Sequence, residues 1–183
     1  MNRETRTTRI SRPLGIYRLI SGARAALPSR EDVGNKALNL MVMAQAGLPV
    51  PPGFVLGTEL CRAYMQQGRR VLDSLEPVLA YELERLQQQT GRRFGDSRRP
   101  LLVSVRSGAA VSMPGMMETV LNVGLNVTTL SGLRRATGNP RLALDCRRRF
   151  LEQYAEVVHG VSPRRFEEIV AAELRGANVA SCN

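Results

Sequence analysis

The run LLVSVRSGAAVSMPGMMETVLNVGLN, residues 101–126, decides how this chain is read. LLVSVRS at 101–107 is the clearest strand in the chain: a short apolar, β-branched run that follows the turn-rich GRRFGDSRRP and stops at a glycine. Thr119–Val123 reads as a second strand. Between them the chain is neither helical nor alternating, so the two strands are joined by a loop of about a dozen residues, far longer than an ordinary hairpin turn. Long connections held by short strands tend to carry function. Gly108 and Gly115 let the backbone take positive φ and come close to a ligand, so that successive amides can form an anion nest. Ser112 supplies a hydroxyl, and Pro114 limits the conformations the loop must lose on closing. Met113, Met116 and Met117 fall at or near the tip, where methionine is more often packing filler but could also shed water from a phosphoryl-transfer site. Arg106 stands where the first strand opens into the loop, with Val105 expected on the buried side, and its guanidinium fork could clamp phosphate oxygens. A surface or salt-bridged arginine is the ordinary alternative. Neither GxxxxGK[ST] nor GxGxxG is present.

Working upstream, GNKALNLMVMAQAG from Gly34 to Gly47 sets Leu38, Met41, Ala44 and Gln45 at helical spacing, with Lys36 in the first turn. Lys36 is the only lysine among the 26 basic residues. An ammonium is a compact point charge suited to a phosphate oxygen, and a helix start offers unpaired N–H groups that favour anions. A chance surface lysine is the bland alternative. Pro49, Pro51 and Pro52 then fix an extended path into a short strand at Phe54–Leu56. Thr58 is placed to cap a helix through Gln67, and residues 71–90 form a third helix with a stripe of Leu72, Leu75, Leu79, Leu83 and Leu86, Pro77 sitting near its start or kinking it.

Downstream of residue 127 the pattern turns helical. Thr128 or Thr129 opens a helix to Ala136, Asn139-Pro140 opens a long one to about His159, and Ser162-Pro163 opens another to Arg175. The expected architecture is α+β, a mixed sheet with helices over 16–126 followed by a helical subdomain over 127–183, after an Arg/Thr-rich tail at 1–15 read as flexible.

At 183 residues with 43% apolar side chains the chain is long enough to bury a core, and no apolar run is long enough to span a membrane or act as a secretory signal. A cytoplasmic protein is expected. Cys61, Cys146 and Cys182 are widely spaced and odd in number, which reads as free thiols. The net charge of +10 is regional: residues 91–150 carry eleven arginines against three acids, whereas 151–183 carry three against five. No aromatic platform or helix-turn-helix spacing accompanies the arginine pairs, so nucleic acid is not an expected partner. The run Arg147-Arg148-Arg149 reads as an ion-paired or solvated face. His159, the sole histidine, falls at a helix end and reads as a dipole partner, so neither a zinc site nor a Ser–His–Asp triad can be assembled. Glu118 is the one acid in the loop, and a single carboxylate is a thin Mg²⁺ site.

The strings GNKALNLMVMAQAGLPVPPGF, RRFGD, LLVSVRSGAAVSMPGMMETVLNVGLN, ATGNPR and RRFLEQYAEVVHGV resemble, in order, the N-terminal part of pyruvate phosphate dikinase, from about Ile16 to Arg175. VSMPGMMETVLN is the most specific piece; the lysine and VRS elements would also fit phosphoenolpyruvate synthase or the glucan and antibiotic dikinases. The resemblance implies the first part of an ATP-grasp nucleotide-binding domain. It implies that Lys36 is the ATP-phosphate lysine and Arg106 the catalytic, phosphate-binding arginine. Gly108, Ser112, Met113, Gly115, Met116 and Thr119 would belong to the loop that covers the phosphates. Asn35 stands where the family pattern usually has a second glycine, and Ala37 where another small residue, often glycine, is found.

The implied reaction is ATP + phosphate + pyruvate to AMP + diphosphate + phosphoenolpyruvate, with the β-phosphoryl passing through a histidine on a swivelling domain. The metal ligands for Mg²⁺, the phosphohistidine and the barrel domain are expected from dikinase segments beyond this chain. ATP and those segments are the expected partners, a homodimer is left open, and the chain by itself is expected to be inactive. The closing ANVASCN matches nothing in the family. Two other functions stay open: a non-catalytic nucleotide- or partner-binding module, and a basic nucleic-acid-binding protein that uses the arginine-rich middle.

Overall fold

A computed structural model describes residues 15–22, 26–107 and 119–176. Packing divides them into two compact units, with the chain passing from one to the other between Gln89 and Thr90.

The first unit holds β1 (Ile16–Leu19), α1 (Arg30–Gln45), β2 (Gly53–Leu56), α2 (Thr58–Gln67) and α3 (Arg70–Thr90). β1 lies outside the elements expected from sequence, since it emerges directly from the basic tail. It pairs antiparallel with β2, Ile16 opposite Leu56 and Leu19 opposite Gly53. Helix α1 starts earlier than Gly34 because Ser29 and Asp32 form a reciprocal capping box, the Ser29 hydroxyl accepting from the Asp32 N–H at 3.2 Å. Thr58 is not the cap of α2. Gly57 holds that position, and the Thr58 Oγ1 instead donates to the Glu31 carbonyl at 2.6 Å, tying the starts of α1 and α2 together. The leucine stripe of α3 is only partly sunk: Leu75 and Leu86 are buried, whereas Leu72 is exposed. Leu60, Val71 and Leu75 form one apolar cluster, with Ala63 and Leu79 against it, and Pro77 is carried inside the helix.

The second unit holds β3 (Val103–Arg106), β4 (Thr119–Val123), α4 (Val127–Thr137), α5 (Pro140–His159) and α6 (Pro163–Gly176). The starts expected at Asn139-Pro140 and Ser162-Pro163 are met, whereas α4 begins at Val127, one residue before the expected Thr128. Asn126 caps α4 through a box with Thr129, and Asn139 caps α5 ahead of Pro140. The hairpin β3–β4 packs with the helices that follow it, because α5 covers β4. Leu125, Thr129 and Ala143 are wholly buried there. Thr129 tolerates burial because its hydroxyl donates to the Gly124 carbonyl at 2.8 Å and accepts from the Asn126 N–H at 2.8 Å.

The fold is α+β. The expected mixed sheet is corrected: among the described residues there are two separate two-stranded antiparallel sheets, since β1 takes up β2 and the hairpin closes on itself.

Candidate functional site

The hairpin is where the sequence reading is sharpest. Val105 lies opposite Val120 and Arg106 opposite Thr119, so the chain between them leaves and returns at one point. Directly opposed Cα atoms in an antiparallel pair sit about 4.5–5.5 Å apart, which fixes the width of the loop's base. The register shifts between Val103 and Val105, leaving an irregularity in β4 where Asn122 takes the left-handed φ of 58°. The Leu121 N–H donates to Gln153 Oε1 of α5 at 3.0 Å. Arg106 therefore stands on a strand end anchored through its partner strand to a helix, and its side chain is exposed. Val105 is also exposed, at 56%, and not on a buried side as expected, because α5 covers β4 and leaves β3 as the outer strand. Thr119 is half-buried at the opposite corner. The other loop positions singled out from sequence, Gly108, Ser112, Met113, Gly115 and Met116, lie outside the described residues.

Lys36 belongs to the first unit. Helix α1 breaks at Gly34, whose φ of 77° and ψ of 162° no side-chain-bearing residue adopts easily, and helical conformation resumes at Asn35. Lys36 thus falls in the first turn after a break, as its neighbour's identity suggested, and its side chain is exposed. Asn35 is helical here, so within α1 the break falls at Gly34.

Charges elsewhere are arranged structurally. Glu82 is buried on α3, and its carboxylate accepts both the Arg18 Nε at 3.0 Å and Nη2 at 2.7 Å, with Arg85 at 3.9 Å. That bond, against the opposing effect of burial, holds the Arg18 guanidinium above its ordinary range. Arg18 also lies over the Tyr81 ring, 5.8 Å from its centroid. Sequence reasoning missed this pair, although a glutamate seven positions after Leu75 on the same stripe needs a counter-charge. On α5, Arg148 and Arg149 bond Asp145 at 2.8 and 2.7 Å, so these two form an ion-paired face as expected, whereas the half-buried Arg147 donates through Nη1 to the Leu125 carbonyl at 3.5 Å. His159 ends α5, exposed, with its ring 5.5 Å from that of Tyr154. Cys61 and Cys146 are free thiols. Among the described residues no three His, Cys, Asp or Glu side chains gather as a metal site would need, and no helix is long and apolar enough to cross a membrane.

With this geometry in hand, comparison with known proteins is decisive. The chain is 43% identical over 143 residues, 78% of its length, to a pyruvate, phosphate dikinase of Clostridium symbiosum, and 44% identical over 151 residues, 82% of its length, to one of Rhizobium meliloti. The chain belongs to the pyruvate, phosphate dikinase family. A chloroplastic pyruvate, phosphate dikinase of Mesembryanthemum crystallinum is 46% identical over 136 residues, 74% of the chain. The matches cover 16%, 17% and 14% of those three dikinases, so the chain spans about one-sixth of their length. No family model matches the chain.

Proposed function

We propose that this chain supplies one part of the ATP-phosphate site of a pyruvate, phosphate dikinase, within the first portion of an ATP-grasp fold. The observation that carries the proposal is the pairing of Arg106 with Thr119 at the base of the MPGMMET loop. A fork-shaped cation fixed at the mouth of a glycine-containing loop is suited to hold two oxygens of one phosphate while loop amides take the others. Lys36 adds a second positive charge on a mobile stem at a helix restart. Each would neutralise phosphate charge and help to hold a nucleotide for transfer, a contribution of positioning and electrostatics. In this reading Gly108, Ser112, Met113, Gly115, Met116 and Thr119 line the loop over the phosphates, residues 16–126 correspond to the N-terminal ATP-grasp subdomain and 127–183 to a helical one, a division by architecture that differs from the packing division at 89–90.

Mg²⁺ screens phosphate charge when it accompanies ATP. The described residues gather no carboxylate set that fits it, so no step is derived through the ion for this chain. The further dikinase domains are the proposed partners and the cytoplasm the proposed location, although several plant relatives are chloroplastic by name. Alone, the chain is expected to bind ATP weakly and not to turn over.

Calorimetric titration with Mg-ATP of the wild type, Lys36→Ala and Arg106→Ala tests this reading. Weak binding by the wild type that disappears in each variant supports it. Binding that survives both substitutions overturns it, and steady phosphoenolpyruvate formation by the purified chain overturns the expected inactivity.

A further inference from the structure

The second unit carries a cationic face that the dikinase reading does not use. Loop 91–100 contributes Arg98 and Arg99, and α4 contributes Arg134 and Arg135; all four are exposed. The fold ties the two pairs to one another. The Ser97 carbonyl accepts from Arg135 Nη2 at 2.6 Å and from Ser131 Oγ at 3.1 Å, so the last turns of α4 are bonded to the loop. Gly132 lets the helix come this close: a Cβ there would stand 2.5 Å from Pro100 Cδ and 2.8 Å from the Ser97 carbonyl. The loop is held in turn by its own backbone, with the Arg93 N–H donating to the Arg99 carbonyl at 3.0 Å.

None of these four guanidinium groups joins the ion pairs found among the described residues, which engage Arg18, Arg85, Arg148 and Arg149. The carboxylate nearest in sequence, Asp96, is occupied by the loop backbone, accepting from the Arg98 and Arg99 N–H groups at 2.5 and 2.8 Å. A shallow depression lined by Ser131, Arg134, Arg135 and Pro140 opens on this face, and Pro140 begins α5, whose N-terminal end adds a partial positive charge. The backbone that carries these arginines is held in place, their positive charge exceeds what one aspartate offsets, and arginine forks match phosphate geometry.

We propose that this face binds the sugar-phosphate backbone of nucleic acid without reading its sequence. The expectation against a nucleic-acid partner rested on missing base-reading elements, and backbone contact requires none of them. The four arginines are not among the residues of the ATP proposal, so substitutions at them and at Lys36 and Arg106 test the two proposals independently.

The experiment is fluorescence-anisotropy binding of the full chain to a mixed-sequence DNA duplex over a range of salt, with circular dichroism on every variant. Arg98→Ala/Arg99→Ala/Arg134→Ala spares the Arg135–Ser97 bond and is expected to weaken binding by roughly tenfold or more, and to flatten the log–log salt slope by about 0.9 for each phosphate that is no longer neutralised. Arg164→Ala/Arg165→Ala plus Arg175→Ala removes the same charge from α6 and is expected to have little effect. Lysine at positions 98, 99 and 134 should restore most of the binding if the alanine variant is poorly folded. Equal weakening by the two sets, or an unchanged slope in the first, overturns the proposal. So does equal competition by polyglutamate of matched charge, which would point to an acidic protein partner instead.

Discussion

The two units hold their charges in opposite ways. In the first, Glu82 is buried with its side chain 4% exposed and is met by Arg18 from 64 positions away. In the second, Asp145, Arg148, Arg149 and Glu152 form a ladder along α5, out towards solvent, between residues three and four apart. A buried carboxylate must be paired or it destabilises the fold, so Arg18 stitches β1 to α3. An exposed ladder competes with water and salt and mainly supports its own helix. The lesson is that charge near a helix surface is a local property, whereas a charge inside a helix stripe reports on a partner elsewhere in the chain.

The sharpest way to break that contrast is to remove apolar packing from the second unit, which lacks a buried ion pair among its described residues. Leu125, 0% exposed, is expected to lose about 3 kcal/mol on change to Ala, seen as a lower midpoint in urea. The counterpart in the first unit is Arg18→Ala. It leaves Glu82 buried with only the more distant Arg85, and a loss of about 2 kcal/mol is expected, less than for a fully buried pair because Arg18 itself is partly exposed. If thermal melts show no loss, the pair is decorative and the comparison fails.

A pH test is finer. The N–H groups of Arg99 and then Arg98 hold the Asp96 carboxyl below the usual carboxylate range. Its folded pKa is lowered, so its contribution is fully present above the unfolded value and is lost as pH falls through the folded one. Asp96→Asn is expected to lower Tm at pH 7 and to match the wild type in strong acid, where both side chains are neutral. A Tm difference that persists unchanged in acid would show that the carboxylate charge is not what holds the loop. The smallest effect is expected from Arg148→Ala on α5: a slight fall in Tm that disappears in molar salt, in contrast to Arg18→Ala, whose loss should persist.

Much of the second unit was legible because its signals are local. Asn139-Pro140 and Ser162-Pro163 mark helix starts through hydrogen bonds that span three residues, Thr128 falls one residue inside the start of α4, and the hairpin strands declare themselves by their apolar runs. The positions of Arg106 and Lys36, one at a strand end and the other after a glycine that breaks its helix, were legible from local sequence. The exposure of Val105, the pairing of β1 with β2 and the Ser97–Arg135 bond were not legible, since each depends on which distant segment arrives beside it.

Sequence by itself determined most helix starts, the arginine excess, the loop's unusual length and the lone ammonium, because capping, charge and backbone restriction act over a few residues. Tertiary structure decided which strand covers which, that Glu82 is sheltered, and that Arg106 faces Thr119 across the loop's base. Burial and strand register are set by the summed packing of residues far apart in the chain, and no short window of sequence contains that sum.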